Sequence, residues 1–199
     1  MKIVCLDMEG VLTPEIWIHV AKRTGIQELN LTTRDVKDYR ELMDRRVEIC
    51  ARHGVTLETI QSHIAELSLF EGAREFTDWV RERYQLVILS DTFMEFADHF
   101  MKLLGRPSLF CHNIAYDKAS GKLRYSLRQE NAKASAVRAM KGLNFRVLAA
   151  GDSYNDIHML READTATFFR APINIKDEFP QYGNLQTYEE LKGFIAQNL

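Results

Sequence analysis

The chain has 199 residues, 46% of them hydrophobic and 27% charged, enough for one sizeable core with a small appended subdomain. Its 26 basic residues are scattered among 28 acidic ones for a formal net charge of -2, which leaves no basic face for nucleic acid. Three cysteines without pairing or zinc-ligand spacing, an acidic residue as early as Asp7, and no apolar stretch of membrane-spanning length predict a cytoplasmic protein with no signal peptide and no membrane partner.

Ile3 to Leu6 is a short continuous apolar run that stops at Asp7-Met8-Glu9-Gly10, the pattern of a strand buried on both faces and ended by polar residues. From Thr13 to Leu69 there follow three helix patterns and no strand pattern. Thr13-Pro14 caps the first, which stops near Gly25. Val36, Tyr39, Met43, Val47 and Cys50 mark the second, ended by Gly54, and Leu57, Ile60, Ile64 and Leu67 mark the third. Residues 13–69 are therefore expected to form a helical insertion lying as a lid over a core made of residues 1–12 and 70–199.

Phe76, Trp79 and Val80 after Gly72 predict a helix. The apolar run Leu86 to Leu89 predicts a second strand, ending in Ser90-Asp91-Thr92, and Phe93, Phe96, Ala97, Phe100 and Met101 predict a helix closing at Gly105. Leu109 to Leu127 reads as a hairpin turning around Asp117-Lys118-Ala119-Ser120-Gly121, ahead of a helix that begins near Ala132. A third buried strand, Val147 to Ala150, runs into Gly151-Asp152-Ser153-Tyr154-Asn155-Asp156. Alternating strands and helices predict an α/β fold with a doubly wound parallel sheet. In such sheets ligands bind beyond the carboxyl ends of the strands, so the three polar clusters can converge on one crevice.

The chemistry of those clusters is that of phosphoryl transfer. Asp7 and Glu9, two residues apart where a strand ends, project from one side of the chain. A carboxylate attacks phosphorus only when the negative charges are neutralised, and a divalent cation does that. Mg²⁺ takes oxygen ligands, which Asp7 and one carboxylate of the 151–156 loop can supply. An acidic turn at a strand end would look the same, and a solvated helix cap would equally account for Asp156. Ser90-Asp91-Thr92 either binds phosphate with a hydroxyl and the N–H groups of a helix start, or merely caps that helix. Lys133, near a helix start where a positive charge opposes the dipole, either meets an anion or is solvated.

The order and spacing of Asp7-Met8-Glu9-Gly10, Ser90, Lys133 and Gly151-Asp152-Ser153-Tyr154-Asn155-Asp156 resemble the haloacid dehalogenase superfamily, and within it the phosphoserine phosphatase branch. The resemblance covers nearly the whole chain and implies a Rossmann-like core with a cap inserted after the first strand. It implies Asp7 as nucleophile, Ser90 and Lys133 on the transferring phosphoryl group, and Mg²⁺ held by Asp7, Asp152 and the Glu9 carbonyl. Asn155 and Asp156 would line the substrate and metal sites, with Asp91 beside the substrate. Glu15 resembles the carboxylate that meets the substrate ammonium group, and Arg46 the arginine that grips its carboxylate, a role for which Arg34, Arg40 and Arg45 compete. Glu9 stands where Asp is usual as general acid and base, Asp91-Thr92 where Gly-Gly is common, and Val11 where Thr is usual. These departures look like the subfamily that transfers the phosphoryl group of phosphoserine to homoserine as well as to water. Phosphoserine and homoserine are thus the expected small-molecule partners, and the oligomeric state, a homodimer included, stays open. The competing readings are a phosphatase for another small phosphorylated metabolite and a silent phosphate-binding scaffold.

Overall fold

The computed structural model describes residues 1–33, 35–36 and 38–199. Its centre is the strand expected first, β1 (Lys2–Leu6), whose residues from Ile3 onward are buried. β1 lies between β2 (Gln85–Phe93) and β5 (Arg146–Gly151), pairing in parallel with both. β3 (Ser108–Asp117) adds in parallel beside β2, and β6 (Thr165–Phe168) beside β5. β4 (Lys122–Ser126) closes the edge beyond β3, giving the order β4-β3-β2-β1-β5-β6.

The hairpin expected around residues 117–121 is present: β4 runs antiparallel to β3, since a short turn joins adjacent antiparallel strands whereas a parallel neighbour needs a long crossover, and the sheet is otherwise parallel. One expectation changes: the second strand does not stop at Leu89. β2 continues through Ser90-Asp91-Thr92 to Phe93, with a shift of register against β3 between Leu89 and Phe93. The following helix α5 (Met94–Leu103) has Phe93 as its cap residue, so Ser90-Asp91-Thr92 is a strand end and not a helix cap.

Side-chain alternation along β1 sends Val4 and Leu6 to one face and Ile3 and Cys5 to the other, into two separate hydrophobic clusters. The first holds α4 (Ala73–Arg83), α5 and α9 (Tyr188–Asn198); the second holds α6 (Ala132–Gly142), α7 (Ile157–Glu162) and α8 (Ile173–Glu178). Helices thus cover both faces, as a doubly wound sheet requires.

The region after β1 is helical as expected: α1 (Ile16–Thr24), a 3₁₀ turn (Gln27–Asn30), α2 (Tyr39–Arg52) and α3 (Leu57–Ile64). Val36 precedes α2 and Leu67 follows α3, so each extends its apolar stripe without being in the helix. Ile16, Trp17, Met43, Ile49, Ile60 and Ile64 join the same cluster as Phe76, Phe93 and Phe96, and the Trp17 ring meets Phe96 edge-on at 5.7 Å. Among the described residues no helix is long and apolar enough to cross a membrane.

Candidate active site

The carboxyl ends of β1, β2 and β5 lie side by side, and the polar residues that follow them share one pocket. Lys133, in the first turn of α6, is buried. Its Nζ lies 2.9 Å from Asp7 Oδ2, 2.8 Å from Asp156 Oδ1 and 3.7 Å from Asp91 Oδ2. One amine therefore ties together residues from all three strand ends, and the solvated reading of Lys133 is excluded. Burial alone would lower the pKa of this amine, but Asp156, Asp7 and Asp91 together raise it well above the ordinary lysine value, so it stays charged.

Asp156 is fully buried, which rules out a solvated cap. Its Oδ2 accepts the N–H groups of Asp152 at 2.9 Å and Ser153 at 3.1 Å while Oδ1 takes Lys133. Gly151 permits this, since a Cβ there would fall 2.3 Å from the Asp156 carboxyl carbon. Gly10, at φ +78°, likewise turns the chain next to Asp152, whose carboxyl carbon a Cβ would meet at 2.3 Å. The tight turn expected of Gly10 is present, and what it approaches is this carboxylate.

Asp7, Asp152 and Asp156 are all buried and each offers an oxygen within 4.8 Å of the others. Lys133 offsets only part of their charge. Burial and the neighbouring Asp156 push the Asp7 carboxyl well above the usual carboxylate range, against the pull of Lys133. A set of hard oxygen donors with surplus negative charge fits a divalent cation such as Mg²⁺.

Glu9 is half-buried beside this cluster and caps α1, contrary to the expectation for Thr13-Pro14. Its Oε2 accepts the Ile16 N–H at 2.8 Å, whereas Glu15, the residue at the cap position, makes no side-chain bond to the helix. Thr13 is buried and donates to the Met8 carbonyl. Burial, then the charge of Glu15, push the Glu9 carboxyl up to about 8, against the Ile16 N–H, Arg46 and Lys133. A carboxyl in that range holds a proton at neutral pH and can release it to a leaving oxygen.

The pocket has two chambers. An inner one of about 80 Å³ is lined by Asp7, Glu9, Ser90, Asp152, Asn155 and, from the helical insertion, Glu15, Trp17 and Arg46. A wider one of about 880 Å³ opens past Tyr39, Asp91 and Asn155. Every candidate except Lys133 and Asp156 lines the inner chamber; Lys133 lines the wider one and reaches Asp7, while Asp156 holds the Asp152 backbone.

Arg46 separates from its competitors. It is buried, stacked at 4.7 Å over Trp17, with Nη2 donating to the Leu31 carbonyl at 2.7 Å, and its Nε has no hydrogen-bond partner among the described residues. Arg40 and Arg45 are exposed and face Glu130 and Glu41; Arg34 lies outside the described residues. A buried guanidinium with an unsatisfied N–H, facing a pocket, suits an anionic group of a ligand. Sequence reasoning passed over His112 and Tyr39. His112 is buried with Nε2 3.7 Å from Asp91 Oδ1, and the Tyr39 hydroxyl donates to the Asp91 carbonyl. A histidine within an apolar strand run was the available signal for the first; Tyr39 looked like one more apolar helix position.

Residues 1–164 match the family model described as haloacid dehalogenase-like hydrolase. The chain is 53% identical over 192 residues to phosphoserine phosphatase ThrH of Pseudomonas aeruginosa, covering 96% of this chain and 94% of that protein. It is 51% identical over 192 residues to a phosphoserine phosphatase of Pseudomonas syringae pv. tomato, covering 96% and 81%. Among solved structures it resembles phosphoserine phosphatase from T. onnurineus, with a TM-score of 0.74 at 25% identity over 98% of this chain and 94% of that one. An apo phosphoserine phosphatase shares the fold at 20% identity, with a TM-score of 0.75 over 92% of each chain. With the family model matched over most of its length and two relatives more than half identical, the chain belongs to the haloacid dehalogenase-like hydrolases.

Proposed function

We propose that this protein is a Mg²⁺-dependent phosphoserine phosphatase that works through a phosphoaspartate on Asp7 and passes the phosphoryl group to homoserine as well as to water. The observation that carries the proposal is the buried lysine joined to Asp7 and Asp156 beside Asp152. The names of the two Pseudomonas relatives, each more than half identical over nearly the whole chain, support phosphoserine as the substrate.

In this reading residues 13–69 are a cap over the core of 1–12 and 70–199. Support comes from the inner chamber, whose lining draws Glu15, Trp17 and Arg46 from one and Asp7, Ser90 and Asp152 from the other. Asp7, Asp152 and the Glu9 carbonyl would hold Mg²⁺, with Asp156 fixing the Asp152 backbone. When bound, the cation offsets the charge of nucleophile and phosphate together.

Arg46 binds the substrate carboxylate and Glu15 its ammonium group, which sets the phosphate against Asp7. An Asp7 oxygen bonds to phosphorus as the seryl oxygen departs, and that oxygen takes the Glu9 proton. Lys133 and Ser90 hold the phosphoryl oxygens. In the second half Glu9 takes a proton from water or from the hydroxyl of homoserine; that oxygen attacks phosphorus, and Asp7 leaves as a carboxylate. The three cysteines, all buried and unpaired, suit a reducing cytoplasm.

The test is phosphate release from phosphoserine with Mg²⁺, with homoserine phosphate assayed when homoserine is added. Wild type is expected to turn over and Asp7→Asn to be inactive. Full turnover by Asp7→Asn would sink the covalent route, and no homoserine phosphate would leave a simple phosphatase.

A further inference from the structure

We infer that His112 is a positioning residue for phosphoryl transfer, orienting the Asp91 carboxylate and, through it, Lys133 and Asn155; the inference rests on the role proposed above for Lys133. The His112 ring is 3% exposed and lies between Tyr39 and Phe93, whose ring centroids are 6.2 and 6.4 Å away. It has little room to turn. Its Nδ1 accepts the Arg128 N–H at 3.0 Å, so in the neutral ring the proton sits on Nε2. That N–H faces Asp91 Oδ1 at 3.7 Å.

The other Asp91 oxygen serves the site. Oδ2 accepts the Asn155 Nδ2 at 3.0 Å and lies 3.7 Å from Lys133 Nζ. The Asn155 amide is itself oriented, because its Oδ1 accepts the Ser153 hydroxyl. Asp91 is anchored at its backbone by the Tyr39 hydroxyl, but an aspartate's last torsion is broad and two-fold. His112 supplies the neighbour on Oδ1 that fixes the plane of the carboxylate, so that the other oxygen stays directed at Asn155 and Lys133. Burial works against a charged Asp91, yet Lys133, His112 and Asn155 hold its carboxyl down to about 2. The carboxylate is thus an anion at neutral pH with a neighbour on each oxygen, standing where the inner and outer chambers meet.

Two substitutions separate this role from simple packing. Glutamine at 112 puts an amide N–H where Nε2 stands and keeps the donor to Asp91. Asparagine puts a carbonyl where Nδ1 stands, keeping the acceptor for Arg128 and losing the donor. Phosphate release from phosphoserine gives kcat and KM, calorimetry gives the Kd of inorganic phosphate, and thermal melts follow the fold. For His112→Asn, kcat is expected to fall about 10-fold or more, as for loss of a partner that orients a site group. KM should hold steady and the phosphate Kd should weaken, while His112→Gln restores most of both losses at the same Tm as His112→Asn. Wild-type kcat and phosphate Kd in His112→Asn, or equal impairment of the two variants, would overturn the inference. If wild type releases no phosphate from phosphoserine, the substrate reading falls, and the two phosphate Kd values still decide the role of His112.

Discussion

Shortening Glu9 to aspartate should loosen the start of α1 and shift the partition of the phosphoryl group toward water. The Glu9 carboxylate reaches from the end of β1 to the Ile16 N–H at 2.8 Å, and no side-chain bond from Glu15 can replace it. Aspartate falls short by one methylene, about 1.5 Å, which breaks that hydrogen bond. Losing an N-terminal cap costs about 1 kcal/mol, and in a chain of this size that lowers Tm by about 2–4 °C. The same retreat releases the carboxyl from the helix and moves it relative to the phosphoryl group, a displacement large enough to change which acceptor oxygen it activates. The assays are a thermal melt and the ratio of homoserine phosphate to free phosphate at fixed homoserine. A variant with wild-type Tm would refute the capping role. A lower Tm with an unchanged product ratio would refute the link between the length of residue 9 and acceptor choice.

Replacing Lys133 with methionine leaves Asp7, Asp91 and Asp156 without their shared cation and should cost about 3–5 kcal/mol, read as a lower urea midpoint, with phosphate release abolished. Gly10→Ala puts a Cβ 2.3 Å from the Asp152 carboxyl carbon at a positive φ, so the rise in Tm produced by Mg²⁺ in wild type should shrink or vanish. Asp91 has a folded-state pKa depressed to about 2 from 3.8, so its contribution is present above the unfolded value and lost as pH falls from about 4 to about 2, amounting to about 2 kcal/mol. Asp91→Asn should accordingly be less stable than wild type at pH 6, and the two should converge near pH 2; a gap that persists there would show that packing, not charge, is responsible. Asp7→Asn, inactive in phosphate release, should keep its fold by circular dichroism.

The core strands were legible because buried parallel strands need continuous apolar runs, and Ile3 to Leu6, Leu86 to Leu89 and Val147 to Ala150 have them. β6 was not, since Thr165-Ala-Thr-Phe168 carries too little apolar character to stand out, and its strand forms by pairing with β5. The end of β2 was misread for a related reason. Ser90-Asp91-Thr92 has the composition of a helix cap, yet the strand runs through it across a shift of register and pairs again where Phe93 meets His112. The polar clusters at three strand ends pointed to one crevice, and there they meet.

What no local pattern could supply was which partner each polar group finds. That Glu9 caps α1, that Asp156 is wholly buried on Lys133 and two backbone N–H groups, and that His112 faces Asp91 all depend on distances between segments far apart in the chain. The sequence by itself determined the kind of chemistry, because only certain residue types attack, neutralise or chelate a phosphate. Tertiary structure decided the arrangement, because a carboxylate's proton affinity and reach are set by burial and by the charges packed around it.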